Sequence, residues 1–295
     1  MSNPTYSFII PHKNAPDFLV RCISSIPERK DIEIIIVDDN SDKSIVDWES
    51  FKLPYRSNIN TIKTWKGKGA GYARNEGMKK ASGKWLLFID CDDYYCPGFL
   101  NVLDKYQDSD ADVIYFDYQN VTGDEKKQLS YQPPKDAITD DEREEKCRYK
   151  LHMPWNKMLS KSFIDNHHIH FEECINGNDI FFSFQVGFYC KKIHIDPSKI
   201  YCYYHNPFSL TKSKNNNEYY YLCVLHHHYK IKNFYKFIGL EKWNQPILKK
   251  FTAILYKKGW KQFSLATKVY LKNLSVLKAN QFEYTEYFKK NQKRK

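Results

Sequence analysis

The 295-residue sequence has no apolar run near the roughly 20 residues that cross a bilayer, and its first residues, MSNPTYSFII, lack a basic segment ahead of a long apolar core. Neither a membrane-spanning helix nor a secretory leader is expected. Glycine (11) and proline (12) are too sparse for a collagen-like or linker-rich chain. The cysteines, at 22, 91, 96, 147, 174, 190, 202 and 223, include no CxxC pair, which argues against a zinc site or a dense disulfide framework. Reduced cytosolic thiols are the expectation. A Gly-rich P-loop and a GxGxxG turn are both missing, so neither a nucleoside triphosphatase nor a dinucleotide enzyme is supported.

What is present is globular: 42% hydrophobic, 27% charged and 16% aromatic, with 23 tyrosines. The net charge of +11 is unevenly placed. Residues 219–295 hold 17 Lys and Arg against 3 Asp and Glu, whereas residues 1–218 carry a net −3. A basic segment of that kind implies an anionic partner. The composition also breaks at KSKNNNEYY, which reads as a surface loop before a helix. Two domains follow, residues 1–215 and a basic helical region over 216–295.

Strands and helices alternate through the first part. Tyr6–Pro11, Ile32–Val37, Ile59–Trp65, Trp85–Ile89 and Val113–Tyr118 read as strands, and Asp17–Ile26, Gly71–Ala81 and a segment opened by Pro97 read as helices. IEIIIV and WLLFI are runs of the kind buried on both faces of a parallel sheet. The rhythm predicts an α/β fold with a doubly wound, mostly parallel sheet flanked by helices. Further helices are expected from about Asp140, over Ser160–His167 and over Asp179–Cys190, with short strands at Ile193–Ile195 and Ile200–Tyr204. Beyond 216 the chain looks all helical.

Such sheets bind ligands beyond the carboxyl ends of their strands, and two acidic clusters sit there: Asp38-Asp39 and Asp90-Cys91-Asp92-Asp93. Three carboxylates within four positions repel one another unless a cation or several donors face them. Oxygen-only ligands suit Mg²⁺ or Mn²⁺. An isolated DxDD would read as a solvated turn, but its place after a buried strand favours a metal.

The ordered set FIIPHKN, IEIIIVDDNSDKS, GAGYARNEGMKKASGKWLLFIDCDD, PWNKMLSKSF, FEECINGNDIFF and YCYYHNPFSLT resembles the family 2 glycosyltransferases of the GT-A fold. The likeness covers about residues 5–213. It implies that the strand tail from Pro11 to Asn14 lines the nucleotide-base pocket, although His12 and Lys13 depart from the commoner residues there. It implies that Asp39 meets the base, with Asp38 a structural partner in the turn, and that Arg74 lies over the nucleotide. The DxD pair maps to Asp90, near the ribose or a metal-bound water, and to Asp92, the direct metal ligand. From local sequence alone Arg74 is equally a surface helix cation.

On the acceptor side the resemblance places the general base at the start of a helix, on Asp179, with Asn178 where an acidic residue is common. A helix N-terminus lowers an Asp pKa and keeps the base ionised. An ordinary N-cap is the competing reading, and Glu172 and Glu173 are alternative bases. Trp155 and Lys157 match positions near the donor sugar, where Trp155 would stack on a sugar face and Lys157 contact a phosphate. A core tryptophan and a solvated lysine are the alternative. His205 reads as a third metal ligand, a phosphate donor or a surface histidine. His226-His227-His228 cannot chelate one ion from a helix, where neighbours point about 100° apart.

In the basic region, Ile247, Phe251 and Ile254, then Phe263, Ala266, Tyr270, Leu274 and Leu277, form apolar stripes at helical spacing, flanked by lysines. They suit an anionic membrane surface or packing against the rest of the chain or a second copy, which leaves a homo-oligomer open. Nucleic acid is not expected, because no recognition motif is present. The resulting expectation is an inverting, metal-dependent glycosyltransferase using Mn²⁺ or Mg²⁺. It would move a sugar from a nucleotide-sugar donor, a UDP-sugar, to a glycan or lipid-linked acceptor of polysaccharide synthesis. Its place would be cytoplasmic, peripheral at the inner face of the plasma membrane. The alternative is a non-catalytic protein of degenerate transferase fold held at a membrane or nucleic acid by its basic tail.

Overall fold

The computed structural model describes residues 4–51, 53, 56–121, 128–129, 139–206 and 216–279. Its contacts divide the chain into one unit of Met1–Cys174 with Asn178–Asn206 and another of Ile175–Gly177 with Pro207–Lys295.

The first unit is built on strands β1 (Tyr6–His12), β2 (Ile32–Asp39), β3 (Ile59–Thr64) and β4 (Trp85–Phe88), with helices α1 (Pro16–Ser24) and α2 (Ala70–Lys80) crossing between them. These four strands pair in parallel in the order β3-β2-β1-β4. β1 lies between two neighbours, with Ile9 opposite both Ile35 and Phe88. Every residue of β1 is buried, which is why YSFIIP shows no polar alternation. β3 has a single strand neighbour and is correspondingly half exposed.

The chain then forms β5 (Tyr94–Tyr95), α3 (Phe99–Leu103), β6 (Val113–Val121), β7 (Gln128–Leu129), α4 (Asp140–Tyr149), β8 (Lys157–Ser160), α5 (Lys161–Asn166), α6 (Asn178–Tyr189) and β9 (Ile193–Tyr204). Past β4 the sheet order continues β8-β6-β9-β5. Here the mostly parallel expectation needs a correction. β8 enters antiparallel to both β4 and β6, β5 is antiparallel to β9, and only β6 and β9 are parallel. The expected strands at 193–195 and 200–204 are one strand, whose register slips opposite Phe116–Tyr118. Between Val121 and Thr139 the described residues are those of β7, and Thr139 caps α4 with a reciprocal Glu142 bond.

The core is aromatic. Tyr95 stacks on Phe99 at 4.2 Å, Phe8 meets both edge-on, and Trp155 stacks on Tyr201 at 4.4 Å. Contacts of this geometry add about 0.5–1.5 kcal/mol each beyond area burial.

The second unit holds α7 (Glu218–Phe237), α8 (Ile247–Lys258) and α9 (Trp260–Ala279). Asn217 caps α7 by accepting the Tyr220 N–H at 2.9 Å. Tyr221, Leu225, Phe251, Ala266, Val269 and Leu277 form its core. The stripes read from the sequence face inward here and pack helix on helix.

Candidate active site

The acidic turn follows directly from β4. The Asp93 N–H donates to the Asp90 carbonyl at 2.9 Å and tightens it. Asp93 itself is buried and accepts the Tyr201 hydroxyl and the Tyr204 N–H, both at 2.7 Å. The Tyr201 hydroxyl also accepts the Asp90 N–H at 3.1 Å. Asp93 is thus the clip that fastens the turn to β9, with its carboxyl pushed well up by burial and by the neighbouring Asp90 and Asp92. Asp92 accepts the Asn206 amide at 2.9 Å, and its carboxyl is raised by burial and then by Asp90. Its backbone carbonyl accepts from Arg21, whose guanidinium lies 4.3 Å from the Tyr204 ring and 5.1 Å from the rings of Phe18 and Tyr94.

Facing this turn is the start of α2. Asp39, at the end of β2, accepts the N–H groups of Lys68 (3.1 Å) and Gly69 (2.6 Å) and, at 3.4 Å, the Thr64 hydroxyl. Gly69 takes φ +97°, open to glycine, and a Cβ on Gly71 would sit 2.1 Å from the Glu172 carbonyl oxygen. The two glycines let the helix start press against the segment that leads into α6. Asn75 then holds Phe171 by both its backbone groups, at 2.8 and 2.9 Å.

One turn along, Arg74 is 5% exposed. Its Nη2 pairs with Asp90 Oδ1 at 2.5 Å, its Nη1 donates to Asn178 Oδ1 at 2.8 Å, and its guanidinium lies over Phe171 at 5.2 Å. Arg74 therefore ties the acidic turn to the first turn of α6, where Asp179 stands. Burial raises the Asp179 carboxyl, against the pull of Arg74, and Asp90 raises it further. This reverses the sequence expectation, in which the helix terminus lowers it: withdrawal from water outweighs the helix dipole.

At the tail of β1, the Ala15 N–H donates to His12 Nε2 at 3.2 Å, which leaves Nδ1 as the donor to Asp38 at 2.9 Å. Asp38 also accepts the Ser41 N–H and hydroxyl. Burial pushes its carboxyl up, but the bonds from His12 and Ser41 prevail and hold it below the usual range. A cavity of about 120 Å³ lies beside it, lined by residues that include Asp38, Ser41, Trp48, Thr64 and Trp65. Pro11 is buried in β1, opposite Val37.

The structure brings together Arg74, Asp90 and Asp179 in one electrostatic cluster. It decides between readings at two other positions: Trp155 takes the core alternative, and Lys157 is neither a phosphate contact nor solvated. Trp155 is buried against Tyr201 and Tyr203, so its ring belongs to the core and not to a sugar site. Lys157 is 1% exposed, and its Nζ donates to the carbonyls of Leu151 and Met153 and to Asn156 Oδ1, so no phosphate reaches it. Burial pushes its ammonium down to about 7. His205 stands at the end of β9, half-buried, its ring edge-on to Tyr203 and its N–H donating to Val121. Its neighbour Asn206 reaches Asp92. Sequence reasoning missed Arg21, Tyr201 and Asn206. Each lies 71 or more positions from the acidic residue it holds, and the HN pair after the YCYY strand was the only local signal for the last.

The sequence profile of glycosyl transferase family 2 matches residues 7–173, and the chain belongs to that family. It is 26% identical over 215 residues to the putative glycosyltransferase EpsH of Bacillus subtilis, an alignment that covers 69% of this chain and 61% of EpsH. To the poly(ribitol-phosphate) β-N-acetylglucosaminyltransferase TarS of Staphylococcus aureus it is 26% identical over 124 residues, 40% of this chain and 22% of TarS. The crystal structure of S. aureus TarS 1–349 in complex with UDP-GlcNAc matches with a TM-score of 0.56 at 18% identity, covering 77% of this chain and 66% of that one. That likeness shows the GT-A fold. The chain spans about three fifths of the length of EpsH.

Proposed function

We propose that the chain is an inverting glycosyltransferase that moves a sugar, an N-acetylhexosamine in the first instance, from a UDP-sugar to a hydroxyl of a glycan or lipid-linked acceptor. The observation that carries this reading is the Arg74 bridge, which joins the acidic turn to the helix start holding Asp179. The donor is supported by TarS structures in complex with UDP and with UDP-GlcNAc. Residues 1–215 would be the catalytic domain and 216–295 the basic helical region.

Asp90 and Asp92 fit a hard divalent ion. They are oxygen donors on one turn, and Arg74, which pairs with Asp90, is shared with Asn178. Asp92 would hold Mn²⁺ or Mg²⁺, with His205 as a further ligand, and such an ion offsets charge on a departing diphosphate. Pro11 and Asp39 would border the base. Arg74 keeps the Asp90 carboxylate in place. Asp179 takes the proton of the acceptor hydroxyl as its oxygen attacks the anomeric carbon, the bond to the UDP oxygen breaks, and the configuration inverts. A carboxyl raised by burial is a stronger base than an exposed one.

No helix among the described residues is long and apolar enough to cross a membrane. A place at the cytoplasmic face of the membrane would therefore depend on surface attraction. Thermal unfolding with UDP, with and without Mn²⁺, tests the reading. A ligand at 100 times its Kd stabilises by about 2.7 kcal/mol, so the melting temperature should rise with UDP and Mn²⁺ together. Asp92→Asn should lose the metal-dependent part. No response to any nucleotide with either metal would overturn the proposal, and a donor-hydrolysis screen across nucleotide sugars identifies the sugar.

A further inference from the structure

The helical unit leaves outward a surface that its core does not use. In α8 the inward stripe of Ile247, Phe251 and Ile254 packs into that core. At about 100° per residue, Leu248, Leu255 and Tyr256 fall on another arc with Lys249 and Lys257, and these leucines and the tyrosine are 68%, 38% and 92% exposed. α9 repeats the arrangement. Trp260 and Leu271, 70% and 66% exposed, share an arc with the exposed Lys261, Lys268 and Lys272, away from Ala266, Val269 and Leu277. Residues 247–279 contain eight lysines and no aspartate or glutamate.

We propose that this outward face docks on the surface of an anionic lipid bilayer. The sequence reading left the inward stripes open to that role or to packing, and the unit's own packing has consumed them. Three features of the outward face argue for lipid. Tyr256 and Trp260, four residues apart across the Gly259 turn, are the amphipathic rings that settle at headgroup level. Leu248, Leu255 and Leu271 offer the apolar contact just beneath. Five exposed lysines on the same arcs meet lipid phosphates, with no acidic side chain in either helix to oppose them. The inference stands on this face and does not rest on the transferase reading.

Co-sedimentation of the full chain with vesicles tests it, comparing phosphatidylglycerol–phosphatidylcholine mixtures with phosphatidylcholine alone at low and high salt. Binding should require the anionic lipid and weaken with salt. Two triple variants separate the contributions: L248S/Y256S/W260S removes apolar contact, and K249E/K257E/K261E reverses charge. Each should weaken binding, the charge reversal by about 100-fold or more. Both should keep the wild-type far-UV spectrum and the wild-type thermal unfolding midpoint without vesicles. Equal binding to neutral lipid, no binding to either, or full binding by the apolar variant overturns the proposal. So does an oligonucleotide that binds in preference to the vesicles.

Discussion

A guanidinium that is 5% exposed needs partners for its donors, and Arg74 finds them for its two terminal nitrogens in Asn178 and Asp90, while its Nε is left without a hydrogen bond. Asn178 replaces an acidic residue with a neutral acceptor, so Arg74 keeps its charge for Asp90. Asp179, next along, is left with a carboxyl raised by burial. As the proposed base it works only when deprotonated, so turnover should fall as pH drops through its raised pKa, above the ordinary aspartate value near 4. Asp179→Asn should lower kcat by about 10²–10⁴-fold, remove that acid limb and leave UDP and metal binding intact. A pH–rate profile beside a UDP titration checks this. Near-normal turnover, or lost UDP binding, would move the role to Glu172 or Glu173. The carboxylates were legible in the sequence because an acidic pair after a buried run marks a strand's carboxyl end. Their holders were not, since Arg21, Tyr201 and Asn206 meet them only through tertiary pairing.

At the scale of elements, the long apolar runs declared themselves. β1, β2 and β4 lie where YSFIIP, IEIIIV and WLLFI placed them, within a residue or two. β5 and β8 did not: β5 is two residues long, and the KMLS of β8, though as long as the WLLF of β4, sets only two apolar residues between a lysine and a serine. The miss at β8 bears on the site reading, because Lys157 looks like a ligand contact or a solvated cation until that strand carries it inside. The glycines of GKGAGYAR were legible as a motif but not as geometry. Their role is steric: α2 can begin where it does only if nothing projects from residue 71 toward the Glu172 carbonyl. Gly71→Ala should therefore push the helix start away from Glu172 and Asn178 and disturb the Arg74–Asn178 bond. The expected outcome is an unfolding free energy lower by about 1–3 kcal/mol as for other overpacked sites, with weakened UDP binding. Denaturant melts and a UDP titration report both, and a variant with wild-type values for each would show that the segment yields freely.

On the scale of the whole molecule, charge and burial are handled differently in the two units. The helical unit exposes most of its lysines, while the sheet unit draws one fully inside. Lys157 is withdrawn from water by the core around β8, which lowers its pKa to about 7, yet three oxygens surround its Nζ and favour the ammonium. Stability against pH decides which influence prevails. If burial prevails, the unfolded chain holds a proton on this lysine up to its ordinary value of 10.5, and the folded chain releases it near 7. Between those values the unfolded state binds more protons, so folding stability rises with pH and is lost again as pH falls back toward 7. One group contributes at most about 1.4 kcal/mol per pH unit. Lys250 and Lys258, also lowered by burial, add smaller slopes of the same sign. Thiols raised by burial, such as Cys22, Cys91, Cys147 and Cys190, slope the other way as pH nears the ordinary thiol value. Urea unfolding between pH 7.5 and 9.5 is therefore read as the difference between the wild type and a variant lacking Lys157. Lys157→Met should make the slope more negative than the wild type's by about 1 kcal/mol per unit at unchanged m-value. An identical slope in the two proteins would mean that the oxygens around Nζ keep it charged throughout, and that Lys157 is a buried ammonium anchoring the 151–157 turn.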